Sequence, residues 1–392
     1  MILAKDVLEK YGKNAFAYGG YRTNSREIVP SVDELKEDMR ILNTLDCHLI
    51  RTYHTQQFGQ VRNLLQAIKE LNQEEESFYM YVMLGAWIQC KKAWTDNPVR
   101  EEEDLENNRA EIDQAIAFAE DFPEIVKIIA VGNEAMVHWA YGYYVQPSII
   151  LKYVEELQYL KKSAQLDSSI WITSSDNFAS WGGGSNEYHN SELAKLIKAV
   201  DYVSLHTYPF HDTHYNNQFW IDSSTQIDNE ILDAKKAVNR AVTYAKNQYA
   251  NTKKYVQSIS KEKEVHIGET GWSTMDNNFY GKNGSGAADE IKQAYYYQKI
   301  RKWTQENKIA CFYFEAFDEP WKDQNNVNGS ENHFGLISLN GKVKMALWED
   351  FKKFNMSKLR RIETLKKSFN GDSLEAYNSL LSVPHLDSLV IN

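Results

Sequence analysis

Two glutamates carry the strongest chemical signal in this 392-residue chain. Glu134 ends Gly132-Asn133-Glu134 behind the apolar run Val126–Gly132, and Glu269 stands in Gly268-Glu269-Thr270-Gly271-Trp272 behind Glu264–Gly268. A lone glutamate after an apolar strand is usually a solvated rim charge. Two of them, each flanked by glycine, suit a division of labour: one carboxyl protonates a leaving oxygen while the other attacks an anomeric carbon. The acid must keep its proton near neutral pH, so burial or its neighbour's charge has to raise its pKa. The chemistry such a pair serves is cleavage of a glycosidic bond.

Other side chains at strand ends fit the same site. Asn133 can hold a sugar hydroxyl, Tyr208 can donate to Glu269 and keep it ionised, and His206 can line the same wall. Arg51 and Tyr53 end another apolar run, and an arginine beneath a glutamate lowers its pKa. The segment Phe314-Glu315-Ala316-Phe317-Asp318-Glu319-Pro320-Trp321-Lys322 packs three acids, a Trp and a Lys into nine residues. Glu315, Glu319, Trp321 and Lys322 suit the binding of sugar hydroxyls and a sugar face. Trp87, Trp139, Trp181 and Trp272 also follow strands, which makes them candidate stacking platforms. Ten Trp and 24 Tyr are rich even for a bulky core, and flat rings suit the apolar faces of sugars.

These residues need a scaffold that brings distant strand ends together. Short β-rich runs recur at Ala15–Gly19, His48–Tyr53, Phe78–Ala86, Val126–Gly132, Ile170–Ser174, Tyr202–His206, Glu264–Gly268 and Ala310–Phe314. Helical patterns come after them over Ser31–Leu45, Gln57–Leu71, Asn108–Ala119, Pro147–Ala164, Ser191–Lys198, Glu230–Tyr249, Ala288–Gln305 and Lys344–Phe354. Eight such units predict an α/β fold, a single (β/α)₈ TIM barrel over 1–354. The first strand leads into AYGGYRTNS, which is no dinucleotide-binding loop. Long loops over Trp87–Asn107, Thr207–Ile227 and Thr270–Ala287 belong on the C-terminal face, where barrels keep their sites. Residues 355–392 form an extension, expected as one or two helices packed on the barrel's outside with no chemistry of their own.

Composition narrows the partner. A formal net charge of −10 disfavours nucleic acid and anionic membranes, both of which require a basic face. No apolar stretch reaches the roughly 18–20 residues of a membrane span. Cys47, Cys90 and Cys311 form neither metal spacing nor an even framework, and no cofactor or metal is called for. The charged segment Met1–Asn14 lacks a signal-peptide core, which fits the cytoplasm or a leader already removed. Asn283, Asn328 and Asn355 begin glycosylation triplets, a pattern common by chance. A neutral polysaccharide or oligosaccharide is the expected partner, and a monomer the expected state.

The motifs VGNE at Val131–Glu134, GETGW at Gly268–Trp272 and FEAFDEPWK at Phe314–Lys322 resemble glycoside hydrolase family 17. IRTYH at Ile50–His54 and Asn332-His333-Phe334-Gly335-Leu336 are similar to its second strand and its ending, so the resemblance covers about Phe16–Trp348. The family comprises β-1,3-glucanases and glucanosyltransferases of a retaining barrel clan. The resemblance implies Glu134 as acid/base and Glu269 as nucleophile, with Glu315, Glu319 and Lys322 binding or supporting substrate. It also implies a secreted, periplasmic or cell-surface setting if a leader has been removed. Ser273-Thr274 replaces the Pro often found after GETGW, and the loops after strands three and six are longer than in compact members. Both departures bear on cleft length and on endo against exo action.

The leading expectation is a retaining hydrolase of laminarin-type β-1,3-glucans, with carboxyls about 5–5.5 Å apart rather than the about 6.5–9.5 Å of inverting enzymes. A glucanosyltransferase on the same site, with Trp272 and Trp321 as acceptor platforms, is the nearest alternative. A metal-dependent hydrolase using His206, His211 and His214 and a non-catalytic glucan-binding protein are the readings from other classes.

Overall fold

The computed structural model describes residues 2–221, 229–354 and 359–385. The triplet at Asn355 and part of the loop Thr207–Ile227 lie outside them. Eight strands close into one barrel: β1 Phe16–Ala17, β2 Leu49–Arg51, β3 Tyr81–Ala86, β4 Val126–Asn133, β5 Trp171–Asn177, β6 Val203–His206, β7 Val265–Gly271 and β8 Cys311–Phe314. Every pair is parallel and joins sequence neighbours, with β1 closing the ring on β8 through Phe16 and Tyr313.

Helices return the chain between strands, and local chemistry sets their starts. Ser31 and Glu34 form a reciprocal capping box at Val32–Thr44, and Pro147 opens Pro147–Lys162, where its missing N–H leaves nothing unpaired. Asp104, Asn190, Asn229 and Asp289 accept backbone N–H groups at four further helix starts. The helix from Glu230 runs to Ile259, beyond the Tyr249 expected, because the buried series Ala245, Tyr249, Thr252 and Val256 continues at helical spacing.

Alternation along the strands sorts the barrel into two faces. Ile50, Val82, Leu84, Ile129, Ile172 and Leu205 pack outward beneath the helices. Leu49, Met83, Ile128, Ala130, Tyr202 and Phe312 cluster with Ala4, Val7, Leu8 and Tyr11 of the helix Ala4–Tyr11, which plugs the barrel's N-terminal end. Further along the same strands stand Arg51, Ser175, Ser204 and His206, all buried. The lumen thus grades from apolar at the bottom to polar at the top.

The expected helix over Lys344–Phe354 is instead two 3₁₀ turns, Met345–Leu347 and Asp350–Lys353. Side chains outside the segment capture its polar groups: Glu290 accepts the Met345 N–H, while Lys344 is drawn onto Asp318 and the His333 carbonyl. Among its described residues the C-terminal extension holds one short helix, Ser373–Asn378, and also strand pairing that no pattern in the chain predicts. Lys366–Lys367 pairs in parallel with Lys342–Val343, and Arg361 is buried over the Phe317 ring. The loop after β3 carries a hairpin of Cys90–Lys91 and Val99–Glu103, and the loop after β6 begins with the helix Pro209–Tyr215. All three cysteines are buried and unpaired, and among the described residues no helix is long and apolar enough to cross a membrane.

Candidate active site

The two glutamates reach the barrel mouth by different local devices. At the end of β4 the pairing with β5 shifts register between Ala130 and Asn133. Gly132 then takes φ +80, a conformation open to glycine, and Glu134 itself has φ +47. The turn is tied back by the Glu134 N–H, which donates to the Ser175 carbonyl at 3.0 Å. On β7, a Cβ at Gly268 would collide with the hydroxyls of Ser175 and Ser204, so only glycine lets the strand carry Glu269 close to its neighbours.

His206 sits between the carboxylates. Its Nδ1 is 2.9 Å from Oε1 of Glu134 and 3.6 Å from Oε2 of Glu269. Those two oxygens are therefore no further apart than the sum, about 6.5 Å, the lower edge of the separation that inverting enzymes require. The other ring nitrogen, Nε2, lies 2.7 Å from Ser175 Oγ and 3.1 Å from Nη1 of Arg51.

Arg51 organises the floor. Its Nη1 donates to Glu269 Oε1 at 2.5 Å and to the Gly268 carbonyl at 3.0 Å, and its Nη2 donates to Asn133 Oδ1 at 2.5 Å. Tyr208 donates to Oε2 of Glu269 at 2.8 Å. Burial by itself pushes the Glu269 pKa up. The charges of His206 and Arg51, with the hydroxyls of Tyr208 and Tyr53, outweigh that and hold the carboxyl below its ordinary value. An ionised, nearly buried Glu269 at the cleft floor is a carboxylate prepared to act as a base or nucleophile.

A second charged group lies beyond β8. Lys322 Nζ is 2.9 Å from Glu315 and 3.4 Å from Glu319, and it sits 4.0 Å over the Phe314 ring. Glu319 accepts from the Tyr21 N–H at 2.9 Å and from the Trp321 indole at 3.1 Å. Burial, reinforced by the charge of Glu319, raises the Glu315 pKa well above the usual carboxylate range despite Lys322.

All this opens into a cavity of about 1190 Å³. Of the residues singled out from sequence, Tyr53, Asn133, Glu134, Tyr208, Glu269, Glu319, Trp321 and Lys322 line it. His206 and Glu315 do not: they are buried one layer below, His206 touching both glutamates and Glu315 held under Lys322. Arg51 likewise lies beneath the floor, as an arginine under a glutamate should.

Trp272 and Trp181 are corrections. Trp272 is fully buried against Trp220, Phe210 and Tyr296, and its indole donates to the Ala287 carbonyl at 2.8 Å. Trp181 is equally buried and donates to the Ser204 carbonyl. Neither presents a face to the cleft. Trp87 and Trp139 do line it.

Several lining residues carry no signal in the sequence. Trp94, exposed at 61%, stacks on Tyr143 at 4.8 Å and near Trp87, while Tyr215 and Phe279 contribute exposed rings from other loops. They lie in segments visible as long loops, but loop residue types carry no periodicity that says which way they face. His211 approaches the Tyr280 hydroxyl and His214 stacks on Phe279, so these histidines and His206 serve separate partners. Among the described residues no group of three or more His, Cys, Asp or Glu is placed to hold a metal ion.

Comparison with known proteins adds relatives to this geometry. The chain superposes on the crystal structure of an endo-laminarinase from Formosa Hel1_33_131 with a TM-score of 0.95, at 50% identity over 98% of both chains. It is 23% identical over 81% of its length to a probable glucan endo-1,3-beta-glucosidase from Aspergillus clavatus, of which the match spans 39%. It is 25% identical over 77% of its length to a glucan 1,3-beta-glucosidase from Arthroderma benhamiae, of which the match spans 81%. A family model described as the BtgE/BtgC glycoside hydrolase domain matches residues 15–335, the barrel with both glutamates. The chain belongs to that glycoside hydrolase domain family.

Proposed function

We propose that the chain is a retaining endo-β-1,3-glucanase of glycoside hydrolase family 17, acting on laminarin-type glucans. The observation that carries the mechanism is the pairing of Glu134 and Glu269 across one imidazole, with carboxyl oxygens at most about 6.5 Å apart, a bound that admits the about 5–5.5 Å of retaining enzymes. Glu269, held ionised by Arg51, His206 and Tyr208, attacks the anomeric carbon as Glu134 gives its proton to the departing glycosidic oxygen. A glycosyl ester on Glu269 results, with the shortened chain released as an alcohol. Glu134, now a carboxylate, takes a proton from water as that water attacks the same carbon and frees Glu269.

Asn133, held by Arg51, and Tyr53 both line the cleft with the glutamates and are available to bind sugar hydroxyls. Trp87, Trp94, Trp139 and Trp321 offer stacking faces along the cleft. The β-1,3 linkage is supported by the three sequence motifs and by the Formosa laminarinase at 50% identity. An open cleft lined by aromatic rings from several loops supports internal cleavage. The glucanosyltransferase alternative loses part of its basis, since Trp272 is buried away from any acceptor.

The test is product analysis on laminarin, mixed-linkage β-glucan, cellulose and β-1,3 oligomers, with Glu269→Ala alongside. Short β-1,3 oligomers of β-configuration at first release, abolished in the variant, are expected. Products longer than the oligomers supplied would mean transfer. No turnover of any β-1,3 substrate would overturn the reading.

A further inference from the structure

We infer that Asp176 is a positioning residue for Glu134: its buried carboxylate anchors the turn that aims the acid. This rests on the acid/base reading of Glu134. Asp176 is completely buried near the end of β5. Its Oδ2 accepts the Met136 N–H at 2.8 Å, two residues beyond Glu134. Its Oδ1 accepts from Ser180 Oγ and from its neighbour Asn177 N–H, each at 2.7 Å.

The preceding residue completes the arrangement, because the Ser175 carbonyl accepts the Glu134 N–H. Adjacent residues of β5 therefore grip both sides of a turn that includes two positive φ angles, at Gly132 and Glu134. Left-handed backbone at a non-glycine residue persists only where its surroundings hold it, and here β5 does so.

The electrostatics run the same way. Burial pushes the Asp176 carboxyl up to about 6 against its hydrogen bonds from Met136 and Ser180, and the charge of Glu134 adds to the rise. The other titratable groups facing the pair are His206 on β6, Glu269 on β7, Tyr208 after β6, and Tyr143, Tyr144 and Tyr188 on the loops above.

Asp176→Asn keeps the shape, removes the charge and leaves one N–H without an acceptor. Activity on laminarin should fall about tenfold or more, while a 2,4-dinitrophenyl β-laminaribioside, whose leaving group requires no acid, should lose far less. Ser180→Ala, which removes one donor that holds Asp176 in place, should show the same selective loss on laminarin by a smaller factor. It decides the matter if Asp176→Asn does not fold.

Equal losses on both substrates in a folded variant would leave Asp176 a purely structural residue and overturn the inference. A separate control isolates the underlying reading. Glu134→Ala on the dinitrophenyl substrate should be rescued by azide, which forms the β-glycosyl azide from the Glu269 ester. Failure of that rescue would overturn the role of Glu134, whatever Asp176 does.

Discussion

Arg51 and Glu269 form a nearly solvent-free ion pair, Nη1 to Oε1 at 2.5 Å, where the polar end of the barrel lumen meets the cleft. Removing the guanidinium leaves a buried carboxylate without its counter-ion. Arg51→Met is therefore expected to lose about 3–5 kcal/mol in denaturant unfolding at neutral pH. Linkage gives the sign: Glu269 is depressed in the folded chain, so its contribution is present above the unfolded carboxylate pKa and lost as pH falls through the lower folded value. The gap between wild type and variant should shrink towards acid pH. In the same variant the acidic limb of kcat/KM should move upward, since Glu269 stays protonated longer.

Tyr208→Phe deletes one hydrogen bond to a charged oxygen while keeping the ring. A loss of about 1.5–3 kcal/mol in transition-state stabilisation is expected, read as a ten- to hundred-fold drop, roughly, in kcat/KM on laminarin. KM should change little. A fall expressed mainly in KM would assign Tyr208 to substrate binding instead.

Trp272 and Trp94 should separate stability from affinity. Trp272→Ala removes a fully buried ring and is expected to cost about 3–5 kcal/mol of folding stability. Trp94→Ala removes a ring exposed at 61%, and should leave the unfolding midpoint nearly unchanged while raising KM for long β-1,3 chains. Thermal melts beside oligomer kinetics check both.

Lys322→Met should make stability fall more steeply with pH. Glu315 has a raised folded pKa, so the stability its held proton brings is full below the ordinary glutamate value, about 4.3, and is lost as pH rises. Without Lys322 the carboxyls of Glu315 and Glu319 face each other uncompensated. Urea midpoints for wild type and variant should lie close together near pH 4 and diverge towards pH 8.

The order of the barrel is legible in the chain, because inward and outward faces impose period two on strands and burial imposes a helical stripe on the segments between them. Every expected strand occurs within a few residues of its place, and so do Arg51 beneath Glu269 and Tyr208 above it. Strand ends are harder. Ending β5 at Ser174 hides Asp176, because Ser-Ser-Asp-Asn has no apolar partner to continue the pattern, yet the strand runs on to Asn177 by pairing with β6.

What the sequence determined alone was the barrel, the glutamate pair and the residues just past each strand, since all of these are local patterns of type and spacing. Which aromatic rings face the cleft is not a local property. Trp272 ends a strand-end motif and Trp94 lies in a long loop, yet the first is enclosed by Phe210, Trp220 and Tyr296 while the second is exposed between the strands of a hairpin. His206 reads as wall in the sequence and is instead the bridge between two carboxylates that stand 135 residues apart, on β4 and β7. That separation is closed only by the barrel's own curvature, which is why tertiary structure decided it.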